Sequence, residues 1–233
     1  MGHAALAALL LRLVFPRIGA DRRRALMRWW SRKLLRILDV CVRVHGATPG
    51  PDKPARMIAA NHVSWLDIFL ISAVHATRFI AKGEIRDWPG AGWIADKAGT
   101  IFIRRDQWRD TARINEKVHA ALEAGDCVGL FPEGITTEGD TLLKFHSSLF
   151  ASAVANRARV HPAAIRYSGA DGELCTAMSF KGDRSFMESL ALIVAQRGVV
   201  ATLTFAQPIE TEGGTRRDVS AAARERVATL LGL

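Results

Sequence analysis

Three clusters along the chain combine residue types that can do chemistry with a spacing that could bring them together. The first is Asn61-His62-Val63-Ser64-Trp65-Leu66-Asp67. It follows an apolar run at Met57–Ala60 and opens a helical pattern, so His62 falls at a strand end and Asp67 one turn into the helix. From there the carboxylate can fold back on the imidazole. A histidine held by a carboxylate is a general base with a fixed tautomer and a stabilised imidazolium. The same residues also read as a capping box, with Ser64 as N-cap and Asp67 as the acid at N3. Capping accounts for Ser64 and Asp67 but leaves His62 without a task.

The second cluster is Gly99-Thr100-Ile101-Phe102-Ile103-Arg104-Arg105-Asp106. Arg104 and Arg105 at a strand end can grip a phosphate with paired N–H donors, or they can simply be solvated. The third is Phe131-Pro132-Glu133-Gly134-Ile135-Thr136-Thr137. A buried strand runs into a sharp turn there, and Gly134 lets the backbone approach a ligand or take positive φ. Glu133 could accept hydrogen bonds from a hydroxyl or an arginine, unless the turn is an ordinary one. The remaining histidines, at 3, 45, 75, 119, 146 and 161, lack a carboxylate at suggestive spacing, although His146 at a helix start could reach a substrate.

Other chemistries have no support. The cysteines at 41, 127 and 175 show no metal-ligand or disulfide spacing, so no structural metal is expected and a reducing compartment is. There is no Gly-x-Ser-x-Gly elbow, no Walker A loop and no Gly-x-Gly-x-x-Gly after a strand.

The elements that must position these clusters alternate. Strands are expected at Met57–Ala60, Arg78–Ala81, Thr100–Ile103, Cys127–Phe131, Val160–Arg166 and Val199–Phe205. Helices are expected at Trp65–Val74, Ala91–Ala98, Gln107–Ala124, His146–Ala155 and Arg216–Leu231. This alternation predicts an α/β fold with a central, largely parallel mixed sheet flanked by helices, and sites in such sheets lie where strands end. The 233 residues, 24% charged and 49% hydrophobic, exclude a disordered or fibrous chain.

The net charge of +9 resides in residues 1–56, which hold twelve basic and three acidic residues. Within residues 22–44 a helix is expected, with Leu26, Trp29, Trp30, Leu34, Ile37, Leu38 and Cys41 on one stripe and Arg28, Arg32, Arg36 and Arg43 on another. Such a basic amphipathic helix suits a membrane interface, with indoles at headgroup depth and arginines on anionic phosphates; a plain surface helix has the same pattern. The longest run without a charged residue is 12 residues, too short to span a bilayer. Residues 1–15 lack a following small-x-small cleavage site, and Arg12 interrupts their apolar run, so a secretory leader is not expected. No nucleic-acid motif accompanies the basic end, and no nucleic-acid partner is expected. The expected division is a membrane-interface helical segment at 1–45 and a catalytic domain at 46–233.

Taken together the clusters resemble the glycerolipid acyltransferase family, which includes the 1-acylglycerol-3-phosphate acyltransferases. Asn61 to Asp67 resembles its His-x4-Asp block, and Gly99 to Arg105 its second block. Phe131-Pro132-Glu133-Gly134 resembles the third, and Val160-His161-Pro162-Ala163-Ala164-Ile165 the fourth. The resemblance spans roughly residues 45–210. It implies that His62 takes a proton from a lysolipid hydroxyl, whose oxygen attacks the thioester of acyl-CoA or acyl carrier protein, while Asp67 supports the imidazole. It implies no cofactor beyond that acyl donor. Ser64, Arg104, Arg105, Glu133 and Gly134 would bind substrate, the arginine at 105 taking a headgroup phosphate. The enzyme would sit on the cytoplasmic face of the cell membrane. The acceptor implied first is 1-acyl-sn-glycerol-3-phosphate. Two departures stand out: Thr136 replaces an arginine usual after Phe-Pro-Glu-Gly in lysophosphatidate enzymes, and Lys144 replaces a common proline. They leave room for lyso-ornithine lipid or another lysolipid, and Arg104, where an acidic residue is common, could compensate. The rival of a different class is a non-catalytic membrane-surface protein.

Overall fold

The computed structural model describes residues 18–50, 56–83, 86, 100–103 and 111–233. Arg104, Arg105, the helix expected at Ala91–Ala98 and the first 17 residues lie outside the described residues.

The described elements are α1 (Ala20–Ile37), β1 (Val40–Gly46), β2 (Arg56–Ala60), α2 (Asp67–Val74), β3 (Arg78–Lys82), β4 (Ile101–Ile103), α3 (Thr111–Glu123), β5 (Cys127–Leu130), α4 (Ala151–Ala155), β6 (Arg159–Ser168), α5 (Phe186–Ala195), β7 (Val199–Phe205) and α6 (Arg216–Leu231). A 3-10 turn, Ser147–Phe150, leads into α4. Seven strands form one sheet in the order β1-β7-β6-β2-β5-β3-β4. Every pairing is parallel except β6 with β7, so the expected mixed, largely parallel α/β fold is present.

Central strands are covered on both faces and therefore apolar throughout; all five residues of β2 are buried. On one face Met57, Ala59, Val128 and Leu130 pack with Val118 and Leu122 of α3, Phe150, and Val227 of α6. On the other, Ile58, Ala60, Ile165 and Leu203 pack with Leu35 of α1, Leu70 of α2 and Ile193 of α5.

Three expectations change. The helix expected through residue 44 ends at Ile37, because Asp39 takes a left-handed φ of 55° and Val40-Cys41-Val42-Arg43-Val44 alternates β-branched residues, which favours a strand. β1 then pairs with β7, so the sheet begins ahead of the boundary expected at residue 46. Second, the face of α1 turned to the core is Ser31, Leu35 and Leu38, while Trp29 and Ile37 are exposed at 46% and 55%. Third, α5 lies in a stretch where no helix was expected. Its start is a capping box in which Ser185 and Glu188 bond each other's backbone N–H.

Candidate active site

β2 and β5 are neighbours with Ala59 paired to Leu130. Three residues beyond each partner lie His62 and Glu133, so the register carries both to the same level past the carboxyl edge of the sheet. There the His62 amide donates to Glu133 Oε1 at 2.8 Å, and the Leu143 amide donates to Glu133 Oε2 at 2.8 Å. Burial pushes the Glu133 carboxyl up, and the amides of Leu143 and His62 oppose this by hydrogen bonding. The His62 carbonyl accepts from Thr137 N at 2.8 Å. The backbone of His62 is thus clamped on both sides by the loop after β5.

The ring is held as firmly. His62 Nδ1 and Asp67 Oδ2 are 2.8 Å apart, and the imidazole stacks on Phe131 at 4.0 Å between centroids and 6° between planes. The fully buried Asp67 accepts three further bonds: from Val63 N at 2.7 Å and Ser64 N at 2.9 Å on Oδ2, and from the Tyr167 hydroxyl at 2.7 Å on Oδ1. These donors fix the orientation of the carboxylate. Burial, then the adjacent Asp67 charge, pushes the Tyr167 hydroxyl well up, so it remains a protonated donor. Asp67 therefore performs the helix-entry task and the imidazole task with one carboxylate. Its bond to Ser64 N is half of the expected capping box, but the other half is absent: the N-cap is Leu66, and Ser64 Oγ instead accepts from Leu66 N at 3.4 Å.

The His62 side chain remains 21% exposed, and no hydrogen bond to Nε2 occurs among the described residues. With Nδ1 directed at a carboxylate, Nε2 is the nitrogen left to take a proton. Gly134 sits at φ +77°, and a side chain there would approach the His146 ring within 3.6–3.7 Å. His146 is exposed beside the turn, its amide bonded to the Pro132 carbonyl.

The structure thus gathers His62, Asp67, Glu133 and Gly134 as the sequence suggested, and it places Ser64 and Glu133 differently from a substrate contact. Ser64 is fully buried and shapes the turn, and Glu133 is 4% exposed with each oxygen taken by a backbone amide. Tyr167 was missed. It is the chain's single tyrosine, next to Arg166 near the end of β6, and only the β2–β6 pairing reveals that it reaches Asp67. His119 does have a carboxylate partner, Glu123 at 3.3 Å, but the pair is exposed and one helical turn apart on α3. His161 is 5% exposed without a hydrogen-bond partner. Burial, with Arg159 and Arg56 nearby, pushes it down to about 4, so it is a neutral core imidazole.

A His–Asp couple braced at the carboxyl edge of a largely parallel sheet, with no hydrogen bond to its outer nitrogen among the described residues, is an arrangement suited to general-base chemistry. The Acyltransferase family model matches residues 41–166. The chain belongs to the acyltransferase family. It is 39% identical over 217 residues to a Pseudomonas aeruginosa protein named lyso-ornithine lipid O-acyltransferase, covering 91% of this chain and 82% of that one. It is 42% identical over 151 residues to a Neisseria meningitidis 1-acyl-sn-glycerol-3-phosphate acyltransferase, covering 64% of this chain and 58% of that one. The crystal structure of PlsC, the 1-acyl-sn-glycerophosphate acyltransferase from Thermotoga maritima, superposes with a TM-score of 0.70 at 20% identity, over 98% of this chain and 88% of that one. That likeness concerns the fold.

Proposed function

We propose that the chain transfers an acyl group from a thioester, acyl-CoA or acyl carrier protein, to the free hydroxyl of a lysolipid, and that the acceptor is lyso-ornithine lipid. His62 Nε2 takes the hydroxyl proton as the oxygen attacks the thioester carbonyl carbon. The tetrahedral adduct collapses with cleavage of the C–S bond. The leaving sulfur takes the proton from the imidazolium and departs as a thiol, restoring neutral His62. Asp67 stabilises the imidazolium during the attack, and no acyl-enzyme is needed because the substrate supplies the nucleophile. The observation that carries this reading is the 2.8 Å contact between His62 and a carboxylate fixed by three other donors.

Two observations favour lyso-ornithine lipid. Relatives bearing that acceptor's name align along most of the chain. Thr136 stands where lysophosphatidate enzymes usually have an arginine, and its hydroxyl donates to the Phe180 carbonyl instead of facing a ligand. A second reading, 1-acyl-sn-glycerol-3-phosphate, is favoured by the 42% identity with enzymes of that name and would use Arg104 and Arg105 for the phosphate. In either case α1 would hold the enzyme on the cytoplasmic face of the cell membrane, with Trp29 and Ile37 turned outward and Arg22, Arg24, Arg28 and Arg36 near the phosphates. Among the described residues no helix is long and apolar enough to cross a membrane.

The test is a lysolipid panel assayed with labelled acyl-CoA and acyl carrier protein. Acylation of lyso-ornithine lipid in preference to lysophosphatidate is expected, with a loss of about 10²–10⁴-fold in a folded His62→Ala variant. Full activity of that variant would remove His62 as the base, and a preference for lysophosphatidate would select the second reading.

A further inference from the structure

Helix α5 presents an unusual outer face. Its inward residues, Ser189 and Ile193, are fully buried. Its exposed residues are Met187, Glu188, Ala191, Leu192, Val194 and Ala195. Five of these six are apolar, and Met187 is 68% exposed. Glu188, the one charge, is occupied in the capping box with Ser185. Helix α6, on the opposite face of the sheet, has an ordinary solvated exterior that includes Arg216, Arg217, Asp218, Arg224 and Glu225. The contrast within one molecule marks α5 as a helix with its outer face adapted to something other than water.

The helix is also built onto the site. The Trp65 indole, three residues past His62, donates to Ser189 Oγ at 3.1 Å and packs on Phe186 at 5.1 Å between ring centroids. The segment entering α5 is tied to the catalytic loops by Phe180 N donating to the Val63 carbonyl at 2.8 Å, and by the Thr136–Phe180 bond. Next to Thr136, Ile135 is another large exposed apolar residue beside Gly134. α5 and α1 pack on the same face of the sheet, and these two helices carry five of the large exposed apolar residues among those described.

We propose that the outer face of α5 is a second bilayer-contacting surface, which seats Met187, Leu192 and Val194 among lipid chains and brings the mouth of the His62 site to the layer where the acceptor resides. This rests on the reading of the chain as a lysolipid acyltransferase. Arg184 and Arg197 flank the helix beside Asp183, with Lys181 paired to Glu138 at 3.5 Å, and the two arginines complement anionic phosphates at the rim of an apolar footprint. A second copy of the chain fits less well. A stable protein–protein interface uses about 20–30 residues a side, whereas α5 offers six.

The experiment compares the full chain with a Met187→Ser/Leu192→Ser/Val194→Ser variant and, separately, Trp29→Ser, in flotation with vesicles of equal parts phosphatidylcholine and phosphatidylglycerol. Circular dichroism checks folding, and Met187→Ser alone provides a milder change. The triple variant is expected to bind vesicles on the order of tenfold more weakly, and Met187→Ser by a smaller factor. The ratio of acylation rates on vesicle-borne and monomeric short-chain acceptors should fall with binding. Unchanged flotation of both variants overturns the proposal. So does a dimer in sedimentation that the triple variant dissociates while flotation is retained. Weaker flotation of Trp29→Ser with unchanged flotation of the triple variant also overturns the proposal and assigns the contact to α1 alone. Absence of acyl transfer by the unaltered chain to every lysolipid would overturn the proposed activity, whereas loss of flotation in the triple variant would still support the surface.

Discussion

Replacing Tyr167 with phenylalanine isolates one hydrogen bond behind the proposed base. Tyr167 is fully buried and donates to Asp67 Oδ1 at 2.7 Å. Phenylalanine retains the ring and its packing but deletes the donor. A hydrogen bond to a charged group contributes about 1.5–3 kcal/mol net, which corresponds to a fall in Tm of roughly 3–12 °C for a chain of this size. The functional consequence has a definite sign. With one donor fewer, the Asp67 carboxylate is held less firmly against the imidazole, and kcat falls while the acceptor KM changes little. If a third to a half of the bond's strength is transmitted to the ring's placement, kcat falls by about 2–10-fold. The assay is kcat and KM on one lysolipid, alongside thermal unfolding. A fall in Tm with kcat unmoved would reduce Tyr167 to a packing residue. A raised KM at unaltered kcat would refute the positioning argument itself.

Glu133→Gln separates positioning from headgroup binding. The amide can accept from His62 N or from Leu143 N but not from both, and one buried N–H would face an NH2 group. A loss of about 1–3 kcal/mol of stability is expected, together with a fall in kcat at little-changed acceptor KM; a raised KM with unaltered Tm would instead assign Glu133 to the substrate. His161→Leu tests the buried imidazole. The group is held at about 4 when folded against an ordinary value of 6.5. A depressed value means that its contribution is intact above pH 6.5 and is lost as pH falls toward 4, amounting to roughly 2 kcal/mol at pH 5. The drop in Tm between pH 7 and pH 5 should be smaller in the leucine variant, and parallel curves would show that His161 does not titrate with unfolding.

The alternation of strands and helices was legible because parallel strands buried on both faces read as short apolar runs. β7 and α6 fall at the expected residues, and β2 and β5 within one residue of them. What failed was local competition. Residues 22–44 carry an apolar pattern that fits a helix throughout, and the turn at Asp39 has no proline or glycine to announce it. α5 is the converse case: Ser185-Phe186-Met187-Glu188 ahead of an apolar run is a helix-start signature, but its outer face is too apolar to produce the amphipathic pattern that identifies a surface helix. For the site, spacing revealed the residues that share one loop, His62 with Asp67. It could not reveal Tyr167, one hundred residues away, because that neighbour exists only through the pairing of β6 with β2.

The arrangement also explains why two carboxylates beside one histidine need not share a role. Asp67 has three donors besides the imidazole, so its carboxylate is held in place whichever protonation state the ring adopts. Glu133 bonds the main chain of the same residue, and its oxygens are occupied by amides that cannot leave. One acid therefore fixes the orientation and charge response of the ring, while the other fixes where the backbone carrying it stands. In the proposed reaction the base would accept a substrate proton and return it to a thiolate within one turnover, and that calls for both: the ring would change charge without moving, because the hydroxyl and the thioester sulfur are separate atoms that the same nitrogen would serve.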